Sequence, residues 1–285
     1  MNLLHSYSHT PDHLVKIFDD GTKVRTFLPG SKRLSLPEQM DLKITDWCDA
    51  ACQWCHEQST PKGKHGDLQA TLEVLKPLPA GVEIAIGGGD ALSHPGFADF
   101  VRELRNRGLV PSVTVNGRHF TRHRDLLEKL INERCLFGVG ISYHQELPQW
   151  DYEHMVVHLI AGVHAPSILD CAARQKILIL GYKQHGRGKK MFQVMPEKIS
   201  QTISDWYREI AWVVRSHAVS FDNLAIEQLN PSRLFLDHAQ YASRFMGEEG
   251  QFGMYLDAVK QTYALSSYSD SQFKWTQFPA MFESL

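Results

Sequence analysis

Three of the five cysteines fall within eight residues, Cys48-Asp49-Ala50-Ala51-Cys52-Gln53-Trp54-Cys55, giving a Cys-x3-Cys-x2-Cys loop. Thiolates are natural ligands for iron–sulfur clusters and for zinc. Three thiolates from one loop can hold three irons of a four-iron cubane and leave the fourth open. An electron-transfer cluster is normally closed by a fourth thiolate, so an open iron points to a ligand that comes and goes, as in catalytic metal sites. The competing arrangement is a structural zinc site of Cys48, Cys52, Cys55 and His56. Adjacent Cys55 and His56 would have to turn toward one ion, and closed zinc sites usually join two separated ligand pairs.

Such a loop needs a frame to hold it. The candidate core strands are residues 40–45, 81–90, 111–117, 136–143, 155–162, 176–183 and 223–229. Helical patterns lie between them, at 94–108, 123–134 and 196–217. In the first, Phe97, Phe100, Val101 and Leu104 form a stripe that Gly108 ends. Apolar strand, amphipathic helix, apolar strand is the pattern of parallel βαβ units. Six or seven units predict an α/β fold with parallel strands, a partial or near-complete (β/α) barrel of the TIM-barrel kind. Reactive groups in such folds gather where strands end and helices begin. The cysteine loop follows the first core strand and a glycine run, Gly87-Gly88-Gly89, ends the second. Asn116 follows the third, Ser142 ends the fourth and Lys183 ends the sixth, so all are expected to open onto one face.

The cysteine spacing, with Trp54 just before the last cysteine, resembles the signature of the radical S-adenosylmethionine (radical SAM) enzymes, which carry it after the first barrel strand. That resemblance implies a [4Fe–4S] cluster on Cys48, Cys52 and Cys55, with S-adenosylmethionine chelating the open iron. It implies reductive cleavage of the sulfonium to methionine and a 5′-deoxyadenosyl radical, which abstracts hydrogen from a substrate. "GGDALSHP" (88–95) is similar to the family's Gly-Gly-Glu-Pro motif, so Gly88, Gly89 and Asp90 are the expected contacts of the methionine ammonium. Asp90 stands where glutamate is usual, and Ala91 where proline is. "TVNG" and "GISYH" resemble the third and fourth strand ends, which makes Asn116 and Ser142 candidate cosubstrate contacts. The resemblance covers about residues 40–230 and implies an electron donor such as a flavodoxin or ferredoxin. Family members that modify peptides often carry a cysteine-rich C-terminal extension, and the last hundred residues here hold no cysteine. The expected substrate is therefore a small molecule or an exposed residue, unidentified. The alternatives are a zinc-binding or iron–sulfur-binding interaction protein and a redox sensor.

Outside these motifs, "HGRGKK" (185–190) and Lys183 are expected either to close over the cosubstrate or to grip a phosphate or carboxylate, or to be a solvated loop. Arg187 is the first residue to test there. Glu227 and Gln228 are candidates for the barrel mouth, only one of them facing in, and Tyr143 and His144 for the pocket wall. Cys135 and Cys171 read as small core residues on the far side from the loop.

The chain has 285 residues, 43% of them hydrophobic, and a net charge of −2, enough core for a barrel and no global field for nucleic acid. Residues 1–39 read as an N-terminal β-hairpin extension, turning at Asp20-Gly21, 40–230 as the barrel and 231–285 as a C-terminal elaboration packed on it. The start lacks a basic stretch followed by a long apolar run, and "MVVHLIAGV" is too short to span a bilayer. Clustered, odd-numbered cysteines do not suit a disulfide framework, so the expected compartment is the cytoplasm.

Overall fold

The computed structural model describes residues 2–10, 13–18, 23–27, 34–170, 176–237, 239, 241 and 247–285. Seven strands run parallel: β4 (Gln39–Thr45), β5 (Glu83–Gly88), β6 (Val110–Asn116), β7 (Gly138–Ser142), β8 (Met155–Ile160), β9 (Lys176–Leu180) and β10 (Ala218–Phe221). They lie side by side in chain order, and β11 (Gly253–Asp257), β12 (Thr262–Ala264) and β13 (Phe273–Lys274) extend the sheet beyond β4. β11 is parallel to β4, and the last two strands are antiparallel. Among the described residues the two end strands do not pair, so this ten-stranded sheet is a partial barrel.

Alternation along each strand explains the two faces. Met40, Leu42, Ile44, Ile84, Ile86, Val113, Val115, Val139, Ile141, Val157, Leu159, Ile177 and Ile179 are all buried in the main hydrophobic cluster. That cluster also takes the stripes of α2 (Phe97–Asn106) and α5 (Pro196–Ser216), including Phe100, Leu104, Trp206 and Ile210. The opposite, inner face carries Asp41, Lys43, Ala85, Gly87, Thr114, Asn116, Gly140, Ser142 and His158. Ala85 is exposed although it sits mid-strand, and a Cβ at Gly87 would meet nothing within 4 Å. The inner face therefore borders open space.

The structure corrects three sequence expectations. Residues 223–229 form a helix, α6 (Asn223–Leu229), not a strand. Asp222 caps it by accepting from the Ala225 amide, and Ala225 and Leu229, four apart, are its buried residues. The last parallel strand is β10, just before it. α3 (Gly117–Asn132) starts six residues before the expected helix, because Asn116 caps it by accepting from the Arg118 amide. No α-helix separates β7, β8 and β9 among the described residues; a 3₁₀ turn at Pro166–Leu169 stands there, and α5 packs against it, Trp206 Nε1 donating to His164 O at 2.6 Å. Residues 231–285 supply strands to the main sheet. Without β11, β4 would be an unpaired edge directly beneath the cysteine loop.

The N-terminus forms a three-stranded antiparallel sheet, β1 (Leu3–Thr10), β2 (His13–Phe18) and β3 (Lys23–Phe27), where a two-stranded hairpin was expected. The Asp20-Gly21 turn lies outside the described residues, as does Cys171. The small sheet is tied to the starts of the barrel strands. Arg25 Nε donates to Glu38 Oε2 at 2.8 Å and its guanidinium lies 4.1 Å over Phe252, while Lys23 pairs with Glu83.

Candidate metal centre

The cysteine loop leaves β4 at Thr45 and returns along itself. The Asp46 amide donates to Lys64 O at 2.8 Å, Cys48 to Thr60 O at 3.0 Å and Thr60 back to Asp46 O at 3.0 Å. Two cations staple it from opposite sides. Lys43, 2% exposed, puts Nζ 2.6 Å from Asp46, where the loop begins, 2.6 Å from Glu57, where it ends, and 3.2 Å from Asp257 on β11. Tyr255 OH donates to the other Glu57 oxygen at 3.0 Å. Arg187, at the start of α4 (Gly186–Val194), holds main chain instead. Its Nε donates to Cys52 O at 2.8 Å, Nη1 to Ser59 O at 3.0 Å and its amide to Cys55 O at 3.0 Å.

All three thiols are free and partly buried. The Ala50 amide donates to Cys48 Sγ at 3.5 Å, and Asn116 Nδ2 to Cys52 Sγ at 3.5 Å. Burial pushes the Cys48 thiol up to about 11, and burial with the neighbouring Cys55 raises Cys52. Metal binding here would therefore release protons. A tetrahedral zinc ion with bonds of about 2.3 Å needs its sulfurs about 3.8 Å apart. Among the described residues, no three ligand atoms from Cys48, Cys52, Cys55 and His56 come within 4.8 Å of one another. His56 faces Glu57, 3.5 Å away. The three thiols are therefore not gathered around one point as a single bound ion requires. The trio that does meet that spacing is Cys48, Asp49 and His119. Arg122, however, takes both Asp49 oxygens, at 2.8 and 3.1 Å, which makes this a charge-balanced pair rather than a cation site.

The glycines at the end of β5 meet main chain. Gly89 and Asp90 amides donate to Thr45 O and Trp47 O, each at 2.7 Å. A Cβ on Gly88, whose φ is +111°, would lie 2.5 Å from Thr45 O, and one on Gly89 would lie 2.1 Å from Trp47 O. Both residues thus close the β5 strand end onto the stem of the cysteine loop. Gly87, not singled out by the sequence reading, is the glycine facing open space. Gly89→Ala is expected to part this seam, lowering the melting temperature by several degrees and cutting iron uptake together; calorimetry and iron assay on one preparation check it.

Asp90 is buried beneath α3. Ser93 Oγ (2.6 Å), Arg122 Nη2 (2.5 Å) and His123 Nε2 (2.8 Å) all meet its Oδ2. Burial would raise this carboxyl, but His123, Ser93 and Arg122 hold it well below the usual carboxylate range. Oδ1 receives none of these donors. The same Arg122 joins Asp90 to Asp49, so one guanidinium ties the glycine strand end to the cysteine loop.

Asn116, Ser142 and His158 are cross-strand neighbours in one inner-face row, and Asn116 both caps α3 and reaches Cys52. His158 was not found from sequence. Its imidazole has no hydrogen-bond partner among the described residues, and burial pushes it down to about 4, so it is neutral at pH 7. The available signal was Gly140, since a Cβ there would lie 2.3 Å from the His158 ring. Asp41 also faces inward; burial raises its carboxyl, and Lys183 opposes that rise. Lys183 Nζ bonds Ser267 Oγ at 2.9 Å, Gln228 brackets the main chain of Tyr182, and Glu227 is exposed. Tyr143 stacks edge-on with His164, which also meets Trp54. Cys135, at the start of β7, packs partly buried against the core.

Residues 42–146 match the radical SAM superfamily. A curated relative is the tungsten-containing aldehyde ferredoxin oxidoreductase cofactor-modifying protein of Pyrococcus furiosus, 29% identical over 135 residues, which are 45% of this chain and 36% of that protein. The chain thus spans about a third of the curated relative it matches. Streptococcus suis SuiB bound to S-adenosylmethionine shares the fold, with TM-score 0.50 and 9% identity over 85% of this chain and 64% of that one. SuiB bound to precursor peptide SuiA gives TM-score 0.48 and 11% identity, over 86% and 63%. No helix among the described residues is long and apolar enough to cross a membrane.

Proposed function

We propose that this protein is a radical SAM enzyme that binds a [4Fe–4S] cluster through Cys48, Cys52 and Cys55 and cleaves S-adenosylmethionine reductively. The observation that carries the reading is the trio of free thiols, spaced too widely for one ion, on a loop stapled to the first strand of a partial barrel. When bound, the cluster supplies the electron that splits the sulfonium, yielding methionine and a 5′-deoxyadenosyl radical that takes a hydrogen atom from the substrate.

The chain's own residues have separable tasks. Asn116 orients beside Cys52, and Ser142 and His158 continue its row into the lumen. The backbone of Gly88 and Gly89 and Oδ1 of Asp90 receive the methionine ammonium. His123, Ser93 and Arg122 keep Asp90 ionised for that task. The substrate, a small molecule or an exposed residue, enters the lumen past Ala85 and Gly87, and an external donor such as a flavodoxin or ferredoxin supplies the electron. Residues 1–39 and 231–285 flank the catalytic barrel.

The test is an anaerobic assay for 5′-deoxyadenosine with S-adenosylmethionine and dithionite, run on the native chain and on Asn116→Ala. The native chain is expected to form the nucleoside, and Asn116→Ala to need at least about tenfold more cosubstrate, the cost of one polar contact and a helix cap. Formation of none by an iron-loaded native chain, with and without candidate substrates, defeats the proposal.

A further inference from the structure

Arg187 belongs to no motif that the cluster reading uses, yet the fold shapes a whole tripeptide around it. Gly186 has φ +54°, and a Cβ there would lie 2.3 Å from His56 O. A Cβ on Gly188 would lie 2.4 Å from Lys183 O and 3.3 Å from Trp54 O. Tyr182 OH holds the far side, donating to Gly188 O at 2.8 Å. Gly-Arg-Gly is thus pressed onto the main chain of residues 54–56. Only a donor-rich, planar side chain can then reach two carbonyls on either side of Cys55, as Arg187 does at Cys52 O and Ser59 O. Its amide closes the third, at Cys55 O. Nε, Nη1 and the backbone amide of Arg187 are thus all committed to main chain of the cysteine loop.

We infer that Arg187 is a positioning residue that holds the cysteine loop in its ligand-ready shape and that its fixed charge favours the reduced state of the bound cluster. The inference rests on the reading that Cys48, Cys52 and Cys55 hold that cluster. Reduction adds one electron, from an external donor such as dithionite, and makes the centre more negative. A guanidinium bonded to Cys52 O stabilises the added charge, and hydrogen bonding and local charge are known levers on cluster potential. Asp49 and Asp90 both pair with Arg122, which offsets part of their charge.

Native chain, Arg187→Lys and Arg187→Gln are compared, each prepared without oxygen. Three readings are taken: iron release to a chelator, midpoint potential by dithionite titration followed by electron paramagnetic resonance, and amide exchange over residues 48–59 in the metal-free protein. Arg187→Gln is expected to release iron at least about tenfold faster, the loss of one charge-assisted bond, with a more negative midpoint. Arg187→Lys keeps the charge but not the fork, so it should release iron faster while its midpoint stays near native. Both variants should exchange loop amides at least about tenfold faster than the native chain. Native iron retention and native midpoint in Arg187→Gln overturn the inference. If the native chain takes up no iron, the cluster reading fails, and unchanged loop exchange in Arg187→Gln still refutes the positioning role by itself. Should Arg187→Gln not fold, Gly186→Ala, which displaces the tripeptide and leaves the charge, must show the same exchange and iron release.

Discussion

Lys43→Met is expected to destabilise the fold by about 3–5 kcal/mol, the cost of removing one partner from a buried ion group. Lys43 is 2% exposed and is the shared partner of Asp46, Glu57 and the wholly buried Asp257. Methionine matches its length and packing, so the loss is electrostatic. Three carboxylates would then share one inner wall, where the remaining basic partners among the described residues are Lys260, 3.9 Å from Asp257, and His56, 3.5 Å from Glu57. The pH dependence follows from the shifts. Burial opposes ionisation of Glu57, but His56 and Lys43 outweigh it and hold the carboxyl far below its ordinary range. A depressed carboxyl contributes stability above its unfolded pKa of about 4.3, and that stability is lost as pH falls. Lys43 itself is raised, so its share persists from acid up to the unfolded lysine pKa of about 10.4. In Lys43→Met the freed carboxyls titrate upward and protonate in mild acid. The deficit should be largest near pH 7 and shrink below about pH 5. Urea unfolding at pH 7 and pH 4 measures it; an equal deficit at both would show that packing, not charge, was lost.

The second large effect is at Cys52. Cys52→Ala removes the middle of the three proposed ligands and leaves the Asn116 amide facing a methyl group. After anaerobic reconstitution the native chain should hold about four irons and four sulfides, and the variant less than about one of each. Cys135→Ala, at the other end of the strands, should match the native chain. Iron and acid-labile sulfide on matched preparations decide between these outcomes, and equal iron in Cys52→Ala would remove Cys52 from the ligand set.

The cysteine spacing and the βαβ rhythm were readable because each is local: ligands in one loop, stripes in one helix. What escaped the reading was long-range. Residues 223–229 are apolar enough for a strand, but the Asp222 cap and the Ala225–Leu229 spacing decide for a helix. β11 finds β4 across the chain, with Tyr255 opposite Asp41 and Asp257 opposite Lys43, which no local pattern announces. Arg187 was legible as unusual, flanked by glycines in a basic segment, but its partners are carbonyl oxygens, and every residue has one. Gly88 and Gly89 stood out as ligand contacts, whereas their side-chain directions are filled by the 45–47 backbone and Gly87 faces the lumen. His158 could be paired with Gly140 only once β7 and β8 were set in register.

The most direct measurement is the yield of 5′-deoxyadenosine from S-adenosylmethionine by the anaerobic, dithionite-reduced native chain, beside Cys52→Ala treated identically. The nucleoside should accumulate with the native chain and stay at background with the variant. Equal yields from both, or none from a native chain carrying its full iron and sulfide, would contradict the assignment.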